Sequence, residues 1–252
     1  MTKLLLKKER IIKVEGRKVV LSKFEKHLVD ENKDFGTQFG IIKKSDLKKE
    51  KIKVGKEEFI IIEPCFLDYY KQIKRLAQII TLKDIGAIIT NTGINNNSII
   101  LEAGTGSAGL SCFLAKIANK IISYDIHKEH QKVALENIKR LSIKNIELKE
   151  GNIFNYKEIT EKDIDVFVLD VTEPWKAEKT AKKVLKKGGF LVSYNPNINQ
   201  VQKFVNSLSE NFLYEKTIEI IEREWTVKDK ILRPKMKDIG HTGFLTFSRR
   251  IK

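Results

Sequence analysis

Along residues 10–62 the apolar positions come in short alternating or β-branched runs: Ile11-Ile12-Lys13-Val14, Lys18-Val19-Val20-Leu21, Gly40-Ile41-Ile42 and Phe59-Ile60-Ile61-Ile62. A period of two predicts strands, and Gly16, Gly36, Gly40 and Gly55 punctuate them as turn residues. With no long helical pattern among them, residues 1–65 are expected to form a small all-β domain, barrel-like or a sandwich. Pro64 ends the run. The apolar spacing of Phe66, Tyr69, Tyr70, Ile73, Leu76, Ala77 and Ile80 is that of a helix, which predicts a connecting helical segment over residues 66–97.

From Ser98 the grammar alternates. Strands are expected at 98–102, 121–125, 145–149, 165–170 and 189–194, with helices at 109–118, 128–141, 176–186 and 198–210. Strand and helix in strict alternation predict a Rossmann-like, doubly wound parallel sheet over residues 98–252, so the expected fold class is α/β with a small all-β N-terminal domain.

Composition narrows the class of protein. The 252 residues include 48 Lys and Arg against 33 Asp and Glu, a net charge of +15, and 41% are hydrophobic. That hydrophobic content excludes wholesale disorder. Residues 1–60 hold 17 basic and 10 acidic side chains, or +7, so the N-terminal quarter carries nearly half of the surplus. Such a surplus suits a polyanion such as nucleic acid, although a Lys/Glu-rich surface of the thermophile kind has a similar composition. Cys65 and Cys112 are too few for a disulfide framework, which points to the cytoplasm. Neither a signal peptide nor a membrane span is expected, because the apolar run near Met1 is short and no later stretch reaches 18 uncharged apolar residues.

The most specific chemistry lies at residues 99–109. Ile99-Ile100-Leu101-Glu102-Ala103-Gly104-Thr105-Gly106-Ser107-Ala108-Gly109 is an apolar strand entering G-x-G-x-x-G and then a helix. This arrangement brings backbone N–H groups to a ligand at a helix N-terminus. A second strand, Ile121-Ile122-Ser123-Tyr124-Asp125, ends in a carboxylate suited to the ribose hydroxyls of an adenosine ligand. Glu102 lies two residues before the first glycine, where it would repel the pyrophosphate of a dinucleotide but tolerate a sulfonium. S-adenosyl-L-methionine is therefore the expected cofactor, and Gly151-Asn152-Ile153 supplies a polar side chain near its adenine. The plainer alternative is that the glycines only turn a strand into a helix.

The fourth strand, residues 165–170, ends in Asp170 at the place where an acceptor meets the cofactor in an open α/β sheet. Pro174 follows it, and Asn195-Pro196-Asn197 follows the fifth strand; both suit a pocket for a planar, hydrogen-bonding base. Asp170 as a helix cap and Trp175 as a core residue are the competing readings.

Four segments carry a resemblance. They are Glu102 to Ser107, Leu169-Asp170-x-x-Glu173-Pro174-Trp175, Tyr194-x-Pro196-Asn197-Ile198-x-Gln200-Val201 and Gly240-His241-Thr242-Gly243-Phe244-Leu245. In these the chain resembles the tRNA adenine N1-methyltransferases of archaea and bacteria. The resemblance implies methylation of adenine 58, and in some archaeal members 57, in the T loop of tRNA by a homotetramer that flips its target base. It further implies cofactor contacts from Gln78, Glu102, Gly104, Thr105, Gly106, Ser107, Asp125, Ile126, Asn152, Ile153 and Asp170, with Asp170, Tyr194 and Asn197 at the acceptor. One departure stands out. Where the family has Tyr-Pro-Lys-Asp or His-Pro-Lys-Asp, this chain has Thr81-Leu82-Lys83-Asp84, without the aromatic ring near the target base and the helix-starting proline.

No metal is expected, since N1 of adenine attacks with its own lone pair and His27, His127, His130 and His241 form no recognisable ligand set. Two rival functions remain: a catalytically silent tRNA-binding subunit, and a methyltransferase acting on another substrate. The intact glycine loop and Asp125 weigh against the first, and the basic N-terminal region weighs against the second.

Overall fold

A computed structural model describes residues 1–15, 17–228, 231–236 and 240–252, so Gly16 of the expected turn residues lies outside the described residues. Two compact units divide the chain, Met1–Gln72 and Ile73–Lys252.

In the first unit, where residues 1–65 are expected to be all-β, strands run from Thr2 to Ile62 with a 3-10 turn at Lys44–Lys48 among them. Among the described residues eight strands form: β1 (Thr2–Lys7), β2 (Arg10–Val14), β3 (Arg17–Ser22), β4 (Glu25–Asp30), β5 (Phe35–Thr37), β6 (Gly40–Ile42), β7 (Lys51–Val54) and β8 (Glu57–Ile62). They pair as an antiparallel sheet in the order β4-β1-β8-β7 and two separate ribbons, β2-β3 and β5-β6, and among the described residues these pairs close no ring. Alternate side chains of the sheet, Leu5, Phe59, Ile61, Ile52 and Val54 among them, bury a common core with Val29, Ile42 and Leu47.

The helical spacing read from Phe66 to Ile80 is realised only as the five-residue helix α1 (Phe66–Tyr70). Residues 73–80 run as irregular chain, because side chains elsewhere in the second unit take their backbone hydrogen bonds: Lys74 N donates to Asn137 Oδ1 and Leu76 N to Ser107 Oγ, each at 2.9 Å. Helix α2 (Leu82–Thr92) then starts after Thr81 and ends at Gly93, whose φ of 69° gives the left-handed C-terminal turn.

The second unit is a seven-stranded sheet. Its strands are β9 (Ile99–Ala103), β10 (Lys120–Asp125), β11 (Ile146–Glu150), β12 (Ile164–Leu169), β13 (Leu185–Asn195), β14 (Phe212–Glu219) and, after the hairpin β15 (Trp225–Lys228) and β16 (Ile231–Pro234), β17 (Phe244–Arg250). The order is β11-β10-β9-β12-β13-β17-β14, with β17 antiparallel to both neighbours. Helices α3 (Gly109–Leu114), α4 (Lys128–Arg140), α5 (Glu178–Val184) and α6 (Ile198–Ser207) fill the connections. The order reverses between β9 and β12, so the carboxyl ends of those two strands open a crevice. Leu101, Phe167, Leu169, Leu191 and Phe204 form the core beneath it.

Candidate functional site

Three strand tips build the crevice. After β9 the chain turns through Gly104 at φ 94° and Gly106 at φ 50°, conformations that suit glycine. Gly104 N and Thr105 N donate to the Tyr124 carbonyl at the end of β10, at 2.9 and 3.2 Å, and Asp170 N after β12 donates to the Ala103 carbonyl at 2.9 Å. These bonds hold the three tips together before any ligand arrives.

Asp125, nearly buried, is the loop's anchor. Its Oδ2 accepts from Gly106 N at 2.9 Å and lies 3.0 Å from His130 Nδ1, while Oδ1 accepts from His127 N at 2.8 Å. A carboxylate offers about four acceptor sites, so this geometry leaves room for a ligand hydroxyl.

Between the tips lies a cavity of about 330 Å³. Of the residues expected from sequence, Gln78, Gly104, Gly106, Asp125, Ile126, Asn152, Ile153 and Asp170 line it. Glu102, Thr105 and Ser107 sit behind the lining. Glu102 accepts hydrogen bonds from Ser111 and, at 2.9 Å, from Ser123, whose hydroxyl is 2.7 Å from that of Thr105. The Ser107 hydroxyl turns to the backbone of residues 76 and 77. Ala77, Tyr124, His127, His130, Phe154, Val171 and Thr172 also line the cavity and escaped the sequence reading. Proximity to Asp125 in sequence was the available signal for Tyr124, His127 and His130; Ala77 carries no such signal, because the 73–80 strap comes from a distant stretch of chain.

The electrostatics are one-sided. Burial raises the Glu102 carboxyl to about 8, with Asp170 and Asp125 adding repulsion and the two serine hydroxyls opposing the shift. Burial alone raises Asp170 to about 7, and its side chain has no hydrogen-bond partner among the described residues. No Lys or Arg is among the lining residues. The crevice therefore favours a cationic or hydrogen-bond-donating ligand over a phosphate.

Beside it, Tyr194 donates from its hydroxyl to the Thr242 carbonyl at 2.7 Å, and a Cβ on Gly243 would come within 2.5–2.9 Å of its ring. The Thr242 side chain belongs to a buried cluster in which Asp84 accepts from Thr81, Lys83 and Thr242, each at 2.8 Å. His241 bridges Glu219 and the Pro196 carbonyl at 2.6 and 2.8 Å. Asn197 is exposed and spends its Oδ1 on Gln200 N as the N-cap of α6. Neither Tyr194 nor Asn197 lines the cavity itself.

The family described as "tRNA methyltransferase complex GCD14 subunit" matches residues 68–233. A tRNA (adenine(57)-N(1)/adenine(58)-N(1))-methyltransferase TrmI of Methanocaldococcus jannaschii is 37% identical, covering 89% of this chain and 91% of its own. The chain belongs to the tRNA (adenine-N1)-methyltransferase family. Within that family a tRNA (adenine(58)-N(1))-methyltransferase TrmI of Thermus thermophilus is 34% identical over 78% of each chain. Among solved structures, an S-adenosylmethionine-dependent O-methyltransferase of Thermotoga maritima superposes with a TM-score of 0.82 at 25% identity, covering 99% of this chain and 93% of that one. The tRNA (m1A58) methyltransferase TrmI of Aquifex aeolicus shares the fold, with a TM-score of 0.78 at 24% identity over 99% and 97% of the two chains. The Rossmann-like α/β architecture is thus that of class I methyltransferases. No helix among the described residues is long and apolar enough to cross a membrane, and no group of three or more His, Cys, Asp or Glu among them could hold a metal ion.

Proposed function

We propose that this chain transfers a methyl group from S-adenosyl-L-methionine to N1 of adenine 58 in the T loop of tRNA, with adenine 57 as a second acceptor. The observation that carries this reading is the unpartnered Asp170 carboxylate at the mouth of a glycine-turned, cation-free cavity, in a chain whose relatives carry these activities in their names.

The residues present fit the methyl donor. Gly104 and Gly106 leave the backbone open to a close-lying ligand, Asp125 retains acceptor capacity for a ribose hydroxyl, and Ile126, Ile153 and Phe154 offer apolar faces to an adenine. When bound, S-adenosylmethionine supplies a methyl group activated by a sulfonium. The Asp125 carboxylate and ionised Asp170, both lining the cavity, favour that positive charge, and the neutral thioether left after transfer loses this attraction.

Asp170 serves the acceptor. N1 of adenine attacks with its own lone pair, so the protein needs no general base. Positive charge grows on the ring and its exocyclic amino group as N1 is alkylated, and a carboxylate accepting a hydrogen bond from that amino group stabilises the transition state. The tied strand tips hold nucleophile and methyl carbon in line, which is an orientational contribution. Tyr194, tethered through its hydroxyl, gives an aromatic wall beside Asp170. Asn197 acts at the rim by fixing the start of α6.

Exposed Trp225, Val227, Ile231 and Leu232 on the β15–β16 hairpin support assembly into the homotetramer that the family resemblance implies, and sedimentation velocity reads that state directly. A cytoplasmic location belongs to the same reading. The deciding experiment incubates the protein with labelled S-adenosylmethionine and tRNA transcripts, then maps the modified nucleotide. Label at N1 of adenine 58 or 57 is expected; no transfer to tRNA, or transfer to another base, overturns the proposal.

A further inference from the structure

The wall of the cavity formed by Ala77 and Gln78 belongs to the 73–80 strap, which has no regular secondary structure of its own to hold it. Its backbone is fastened by Asn137 on α4 and Ser107 in the glycine loop, and the Lys74 side chain adds an exposed ion pair with Glu136 on α4. Asn137, 1% exposed, donates through Nδ2 to the Lys74 carbonyl and to the Ser107 carbonyl, and its Oδ1 accepts from Lys74 N, all at 2.9 Å. The partners fix the amide's orientation, since two carbonyls require the NH2 and a backbone N–H requires the oxygen. Ser107 continues the clamp: its hydroxyl accepts from Leu76 N at 2.9 Å and Ala77 N at 3.4 Å. Beyond these bonds, Ile79 lies over Gly109, where a Cβ would meet its side chain at 2.8 Å, and Ile80 is buried.

We infer that Asn137 is a positioning residue for the methyl donor, acting through the strap that it ties to the glycine loop; this rests on the reading of the cavity as the donor site. Without the Asn137 amide, Lys74 N–H, Lys74 C=O and Ser107 C=O lose their partners together. The strap, having no helix to fall back on, then samples positions in which Ala77 and Gln78 no longer form the wall. Asp170 and the acceptor side take no bond from Asn137, so the methyl-transfer step is left as it was.

The test is the calorimetric dissociation constant for S-adenosylmethionine, with kinetics alongside. For Asn137→Ala the donor dissociation constant and donor KM should rise about 10- to 100-fold, while kcat at saturating donor stays within about threefold. Ser107→Ala, which removes only the lower half of the clamp, should shift donor affinity in the same direction by less. The double variant should weaken binding by less than the product of the two, because both act on one strap. Amide hydrogen exchange at Leu76 should accelerate in each variant. A folded Asn137→Ala protein with wild-type donor affinity, or one in which kcat falls and affinity does not, overturns the inference. If Asn137→Ala fails to fold, Ser107→Ala decides: faster exchange at Leu76 with unchanged donor affinity is the overturning result. Failure of the wild type to bind the donor is distinct, and counts against the reading of the cavity.

Discussion

A Cβ placed on Gly104 would overlap the carbonyl oxygen of Asp170 and lie 2.8 Å from its carbonyl carbon. The glycine loop and the backbone of Asp170 are therefore in contact, and neither strand tip can shift alone. Gly104 also holds φ at 94°. Gly104→Ala should cost about 1–3 kcal/mol of stability from overpacking and strain, and should weaken donor binding further because the tips must separate. Thermal melts and calorimetry check both; a variant with wild-type donor affinity would mean that the tips tolerate separation.

Asp125 fastens the loop through Gly106 N and His127 N, and the proposed donor site has it receive the ribose as well. Asp125→Ala should weaken S-adenosylmethionine binding by about 2–4 kcal/mol, since charge-assisted hydrogen bonds contribute about 1.5–3 kcal/mol each and water replaces part of that. An unchanged dissociation constant sinks the ribose assignment.

Asp170 links stability and activity with opposite signs. Its folded-state value, about 7, lies above the ordinary 3.8 because burial penalises the anion. Its contribution to stability is thus fully present below pH 3.8 and is lost as pH rises through about 7. The role proposed for Asp170 needs the anion, so kcat/KM for the donor should climb across pH 6–8, and saturating sulfonium should move the limb of kcat to lower pH. Asp170→Asn should lower kcat roughly 100-fold yet raise the melting temperature at pH 8 relative to wild type, with little difference at pH 4. Near-normal single-turnover rates would leave Asp170 a structural residue.

The alternating strands and helices of residues 98–210 were legible because each period there agrees with its tertiary setting: β12 is buried almost throughout and reads as an apolar run, and α4 is observed within one residue of its expected end. Gly104, Gly106 and Asp125 were legible because close backbone approach needs particular residue types. The strap was not. Phe66 to Ile80 has helical spacing, but Asn137 and Ser107, distant in sequence, offer its amide groups better partners than the next helical turn. The strands after residue 210 escaped for a similar reason, since β17 inserts antiparallel between β13 and β14 and only that pairing defines it.

The β2–β3 ribbon predicts where RNA affinity resides. Lys13 and Lys18 lie opposite one another across it with Arg17 beside them, all exposed, so the register gathers three cationic side chains on one ribbon. Replacing Lys13, Arg17 and Lys18 by Ala should weaken tRNA binding and flatten the plot of log affinity against log salt by up to about 3, at about 0.9 per phosphate contact. An identical slope would place the RNA surface on the methyltransferase unit alone.

Thr81 stands where the resembled family pattern has Tyr or His, and its hydroxyl donates to Asp84 at 2.8 Å. Asp84 is fully buried and also receives Thr242, whose carbonyl holds the Tyr194 hydroxyl. Thr81 is thus linked through three successive hydrogen bonds, by way of Asp84 and Thr242, to the ring proposed to face the flipped base. Thr81→Tyr removes a donor from a buried carboxylate and adds bulk beside a tethered ring, so kcat/KM on tRNA should fall about tenfold, in line with the roughly 1.5–3 kcal/mol of a hydrogen bond to a charged group, partly compensated by Lys83 and Thr242. Thr81→Ser keeps the hydroxyl and should stay near wild type. The opposite outcome has its own physical meaning: if no ring covers the base, a tyrosine there adds about 1–3 kcal/mol of stacking and raises kcat/KM roughly 5- to 150-fold. Rates and the 57/58 product ratio for wild type, Thr81→Ser, Thr81→Tyr and Thr81→His separate these cases. Identical values in all four would show that this position has no hold on the acceptor pocket.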